Sequence, residues 1–173
     1  MTNVYVKNGL RILLFVVLQI FVFKQINLGS ADFDYIHILV YPVSILLLPF
    51  DFNKLAVLFI AFFTGLFIDM FYDTPGLHAA ALVFMAFIRP FVLRGLAPDT
   101  GYKKATHPTA HSLGLLWYLQ YSGILLFGFL FAYFSLSAFT WVYILDILAN
   151  TIMSFIVSFA IIVLHQILVV PKT

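Results

Sequence analysis

Six apolar stretches separated by short polar breaks follow one another along the chain: about Lys7 to Phe23, Tyr35 to Phe50, Leu55 to Phe71, Leu77 to Gly95, Leu113 to Phe134, and Phe139 to Leu168. A helix needs roughly 20 residues to cross about 30 Å of hydrocarbon, so each stretch reads as one crossing. The second and third are short, and the sixth is long enough to tilt, kink or project. The pattern predicts an all-α polytopic membrane protein, a single transmembrane domain over residues 1–173 with six transmembrane helices. Pro42 lies inside the second stretch, where it removes an intrahelical hydrogen bond, so a bent helix is expected whose freed carbonyl finds a partner within the protein. Pro49, Asp51 and Asn53 end that helix, Pro75 and Gly76 punctuate the turn after the third, and Pro90 follows Arg89 inside the fourth.

The positions of the cations orient this array. Lys7, Arg11, Lys54, Arg89, Arg94, Lys103, Lys104 and Lys172 fall on one side and Lys24 alone on the other, which predicts an N-in, C-in arrangement. The outer connections, near Lys24 to Asp34, Tyr72 to Gly76 and Ser135 to Ala138, are too short for an external domain, so function is expected mainly within the bilayer. The longest inner connection, Leu96 to Ser112, carries Pro98, Asp99, Gly101, Lys103 and Lys104 and has room for a short interfacial helix. The first stretch imitates a signal peptide, with Gly29 and Ala31 as a weak small-x-small cleavage pattern. Retention is the expectation, because removal would leave an odd number of crossings and put the basic loop on the wrong side.

Composition agrees: 64% of residues are hydrophobic, only 9% are charged, and the mean hydropathy is +1.08, far from the balance of a water-soluble domain. A net charge of +2, from nine Lys and Arg against seven acidic residues that are all Asp, gives no support to nucleic-acid binding. The absence of cysteine excludes disulfides and thiolate metal sites.

Polar residues inside apolar stretches are the candidates for chemistry. Asp146 falls roughly 10 Å into the last expected helix at 1.5 Å per residue, where an unpaired carboxylate costs about 2.5–3.5 kcal/mol. Asn150, Ser154 and Ser158 follow at steps of four, a stripe read either as an interhelical seam or cavity lining, or as plain packing. Arg89 either snorkels toward the basic interface or pairs with Asp146 or the Asn150 stripe. Asp69, Asp73 and His78 form a small acidic and imidazole cluster, read as interfacial carboxylates rather than a metal or proton site. His107 and His111 have same-face spacing, but Thr106 or His107 capping the fifth helix with Pro108 in its first turn explains them without a metal. No HExxH, phosphate-cradling glycine loop or intramembrane serine motif occurs, so neither an enzyme, a cofactor nor a metal is expected.

The run Gly65, Leu66, Phe67, Ile68, Asp69, then Thr74, Pro75, Gly76, Leu77, His78, Ala79, Ala80 and Ala81, with FMAFIRPFVLR from Phe84 to Arg94, resembles the signature region of the rod shape-determining protein MreD family. The resemblance covers about thirty residues of the third and fourth stretches, and elsewhere extends only to length, topology and short loops. It implies a non-catalytic subunit of the bacterial inner membrane, in the cell-elongation machinery that builds peptidoglycan. Its implied partners are MreC and, through it, the RodA glycosyltransferase, a penicillin-binding transpeptidase and the MreB filament. The implied fold is similar to the six-helix substrate-binding components of vitamin transporters, which supply the alternative function. Those components usually dock their energising partner through small residues spaced by four on the first helix, whereas Ile12 to Phe23 contains no Gly, Ala or Ser. Gly65 is expected to let a neighbouring helix approach closely, and Pro75 with Gly76 to fix the turn.

Overall fold

Asn53 accepts the amide proton of Leu55 through its side chain and so starts a helix of 19 residues, one of five long helices that make up most of the chain. The computed structural model describes residues 2–26, 36–99, 101–102 and 107–168. In chain order the helices are α1 (Thr2–Phe21), the single turn α2 (Val43–Leu46), α3 (Lys54–Tyr72), α4 (Leu77–Gly95), the single turn α5 (Ala110–Leu113), α6 (Leu115–Ala138) and α7 (Ile144–Leu168), with 3-10 turns at Phe23–Gln25 and Trp141–Tyr143. The described residues are all-helical apart from turns and one extended stretch. Asn8–Gln25, α3, α4, α6 and α7 are each long and apolar enough to cross a membrane.

Burial is arranged for lipid rather than water. Phe59, Phe63, Met70, Phe87, Leu116 and Leu145 are exposed, while Gln19, Asp69, His78, Arg89, Ser158 and Gln166 are buried. Contiguous exposed apolar surface of this kind belongs against hydrocarbon or other helices. This is a multi-pass helical membrane architecture. α3 packs on α4, α4 on α6 and α6 on α7, and α1 closes the ring from α3 to α7, where the Phe15 ring meets the His165 ring edge-on at 5.0 Å. One end of the ring holds Lys54 and Arg94, and the other Lys24.

The second expected crossing is not a transmembrane helix. Residues 36–40 are extended, Tyr41 and Pro42 turn, and the helix that follows lasts only from Val43 to Leu46. Pro42 sits at the start of that turn with φ −57, where its ring is preorganised for a helix, and it disfavours helical geometry in the residue before it. Pro42 thus begins a short helix instead of bending a long one. The whole stretch from Ile38 to Leu48 is buried, and it threads the middle of the five-helix ring. The Tyr41 hydroxyl meets His78 and the Leu48 carbonyl meets Arg89, contacts eleven residues apart on α4, so the segment descends roughly 16 Å between them.

Other boundaries shift for local reasons. The fifth expected stretch becomes α5 and α6, separated by Gly114 at φ +94. Thr106 lies outside the described residues, and the cap before this turn is Thr109 rather than His107: its hydroxyl accepts the Ser112 amide proton, and the Ser112 hydroxyl accepts that of Thr109 in return. α6 runs on to Ala138 and stops at Phe139, whose φ of +51 is left-handed, so α7 begins at Ile144 and not at Phe139. Lys103, Lys104, Lys172, Gly29, Ala31 and Asp34 lie outside the described residues.

Candidate functional site

Two polar constructions occupy the interior. The first joins α3 to α4. Gly65 is buried on α3, and a Cβ built on it would lie 2.4 Å from the Ala79 Cα and 2.6 Å from the Ala79 nitrogen, so the two backbones touch. One turn further along, the buried Asp69 carboxylate reaches the start of α4. Its Oδ1 accepts from the His78 amide at 2.9 Å and the Thr74 hydroxyl at 2.8 Å, and its Oδ2 accepts from the Ala79 amide at 3.0 Å. The N-cap position of α4 is Gly76, at φ +82, which has no side chain to cap with. A carboxylate from the neighbouring helix therefore satisfies the first amides of α4 and complements its positive end. Asp73, at φ +55, ends α3, and the exposed Pro75 completes the turn. Asp69 is thus not a solvated interfacial carboxylate as the sequence suggested, because its three donors are held at fixed places by the Gly65 contact.

The second construction holds the threading segment. An extended chain presents successive amides to opposite sides, and both sides here are met by helix side chains. The amides of His37 and Leu39 donate to Ser154 and Ser158 of α7, each at 3.0 Å. On the other side Gln19 of α1 accepts from the Val40 amide at 2.8 Å and donates to the Ile38 carbonyl at 2.9 Å. Lower down, the Leu46 carbonyl accepts from Tyr121 at 3.0 Å, the Leu47 carbonyl lies 3.0 Å from His107 Nδ1, and the Leu48 carbonyl accepts from Arg89 at 2.5 Å. Non-helical backbone survives at membrane depth only when such groups are paired inside the protein. At the basic end Phe50 stacks on Tyr102 at 4.3 Å, the Trp117 indole donates to the Leu96 carbonyl and the Tyr102 hydroxyl to the Leu93 carbonyl, covering carbonyls at the end of α4. Burial pushes the Tyr102 phenol above its usual range, which keeps it a donor.

No family model, curated protein or solved structure matches this chain.

Of the residues singled out in the sequence, Gly65, Asp69, Gly76 and His78 come together at one hairpin. Arg89 neither snorkels nor pairs with Asp146: it is buried, its Nε donates to the Tyr121 hydroxyl at 2.9 Å, and its other contacts are backbone carbonyls. Asp146 is exposed in the first turn of α7, because the helix starts five residues later than expected, and there it complements the positive helix end. Of the stripe below it, Ser154 and Ser158 form a seam with the threading segment, whereas the Asn150 Oδ1 is buried without a partner. Gln19, Tyr41 and Tyr121 were missed. A lone glutamine within Ile12 to Phe23 was the available signal for the first, since intramembrane amides are there to bond something.

Near Lys24, a cavity of about 370 Å³ opens between Lys24, His37, Tyr72, Thr74 and Tyr133. The His78 ring lies behind it, 4.8 Å from the Tyr72 ring and 4.9 Å from that of Tyr133, with its Nδ1 2.8 Å from the Tyr41 hydroxyl and its Nε2 buried and unpartnered. Among the described residues no three His or Asp side chains converge as a metal site requires.

Proposed function

We propose that this chain is a non-catalytic scaffold subunit of the bacterial inner membrane that works in the cell-elongation machinery, in the manner of the MreD family, with MreC as its direct partner and RodA, a penicillin-binding transpeptidase and MreB reached through it. Six crossings, N-in and C-in, belong to the same proposal: the five long helices and the threading segment make an even number, and the excess of cations falls at one end. One observation carries the reading. The letters that resemble the family signature are those with structural work to do, Gly65 in the close backbone contact, Asp69 in the cap, and Gly76 in the turn. They make α3 and α4 a rigid pair whose outer side presents Phe59, Phe63, Met70, Phe87 and Phe91, suited to lateral contact with partner helices.

Copurification in detergent followed by mass spectrometry of both proteins and small molecules tests this. Recovery of MreC with the chain supports the scaffold. Its absence, in cells that make both, counts against it.

The cavity beside Lys24 favours a second reading, a small-molecule-binding component of a transporter, because aromatic, imidazole and aliphatic side chains line it together with a cation. A small molecule retained at one per chain in place of MreC would favour that reading.

A further inference from the structure

The interior columns of α1 and α7 are polar along much of their length, yet only their upper parts are served by the threading segment. Gln19, Ser154 and Ser158 bond its backbone between residues 37 and 40. Beyond Leu46 the segment turns away, and its carbonyls go to Tyr121, His107 and Arg89. The corner left behind, between the basic ends of α1, α6 and α7, holds buried polar atoms without a partner: Arg11 Nη1, Tyr118 Oη, His165 Nδ1 and both amide atoms of Gln166. Gln166 and Tyr118 are 2% and 0% exposed.

Tyr118, His165 and Gln166 lie at one level. Phe127 packs on Phe155, and Gly123 faces Phe159, so the antiparallel register of α6 and α7 sets Tyr118 beside Leu164, next to His165 and Gln166. The Phe15 ring contacts that of His165, and Arg11, one turn away on α1, is close enough to act on His165 electrostatically. On the outer faces of α1 and α7 beside this corner, Leu10, Leu14, Leu164 and Leu168 are exposed.

We propose that this corner binds a phosphate group, that of an anionic phospholipid headgroup in the adjoining leaflet. A guanidinium, a phenol, an amide and an imidazole are all donors to phosphate oxygens, and together they supply one fixed positive charge. The Gln166 Oε1 is left to accept from a headgroup hydroxyl, which a glycerol headgroup carries. Acyl chains then lie along the exposed leucines of α1 and α7. The inference is independent of whether the chain is a scaffold or a transporter component.

The test uses the full chain, purified in detergent and stripped of lipid, titrated with phosphatidylglycerol and separately with inorganic phosphate, with adducts counted by native mass spectrometry. One phosphatidylglycerol per chain is expected, with affinity reduced about tenfold or more in Arg11→Gln and in Gln166→Leu and unchanged in Lys24→Gln. Phosphate adducts without lipid adducts would overturn the lipid as source. Equal lipid binding by the variants, or no adduct of either kind, would overturn the site, the second result leaving the polar atoms to ordered water. Heat stability gives a second readout: without lipid Gln166→Leu should melt no lower than the parent chain, and the rise in melting temperature on adding phosphatidylglycerol should disappear. An undiminished rise in that variant also overturns the proposal.

Discussion

Gly65 and Ala79 bring α3 and α4 together so closely that a Cβ on the glycine would sit 2.4 Å from the alanine Cα. The atom met is backbone, so no side-chain rotation relieves the clash, and the helices must separate. Gly65→Ala is expected to cost about 1–3 kcal/mol, as overpacking does in a closed core, and to lower the melting temperature in detergent. Gly65→Leu should cost more and, on the scaffold proposal, also reduce recovery of MreC. Unchanged melting of Gly65→Ala would show that the helices are further apart than described.

Asp69 acts on α4 only through the geometry that Gly65 permits. Asp69→Asn replaces a carboxylate with three donors around it by an amide with one acceptor oxygen, and the expected loss is roughly 1–3 kcal/mol. Melting curves of Asp69→Asn, Gly65→Ala and the double variant check the coupling. The double variant should lose less than the sum of the single changes, since separated helices no longer present the cap. Strict additivity would contradict the linkage.

Arg89 is held by what its guanidinium donates to, so shape matters as well as charge. Arg89→Lys keeps the charge but not the fork, and Arg89→Met leaves the Leu48 carbonyl without its donor, at a cost of roughly 1–3 kcal/mol. The order of melting temperatures should be Arg, then Lys, then Met. Indifference to both substitutions would restore snorkelling.

Ser158 and Asp146 share a helix but not a role. Ser158→Ala removes the acceptor of the Leu39 amide and is expected to cost about 0.6–2 kcal/mol. Asp146→Asn loses only a helix-end interaction, about 0.3–1 kcal/mol. Thermal unfolding of the two variants side by side checks the ranking, which a larger loss for Asp146→Asn would reverse.

The long helices were legible in the sequence because unbroken apolar runs leave the backbone no other way to satisfy itself in lipid. The run from Tyr35 to Phe50 looks the same by composition, yet its described part threads the ring with only the single helical turn Val43–Leu46. Its donors and acceptors are met by Gln19, Ser158, Tyr121 and Arg89, which lie on α1, α7, α6 and α4. Nothing local in the run encodes partners supplied by four other elements. The step-of-four spacing of Ser154 and Ser158 placed both on one face, but left a seam and plain packing both open. Asp146 was misjudged in depth because Phe139, an ordinary helix residue by type, takes a left-handed conformation and delays the start of α7. Asp69 was read as solvated because two of its three partners are backbone amides, which no residue type announces.

Amide hydrogen exchange along residues 37–48 of the detergent-solubilised chain tests the threaded segment most directly. The Leu39 and Val40 amides should exchange as slowly as those of the flanking helices although they lie in none, and Gln19→Leu should release Val40 selectively. Exchange of this stretch at the rate of an open loop in the parent chain would contradict the account.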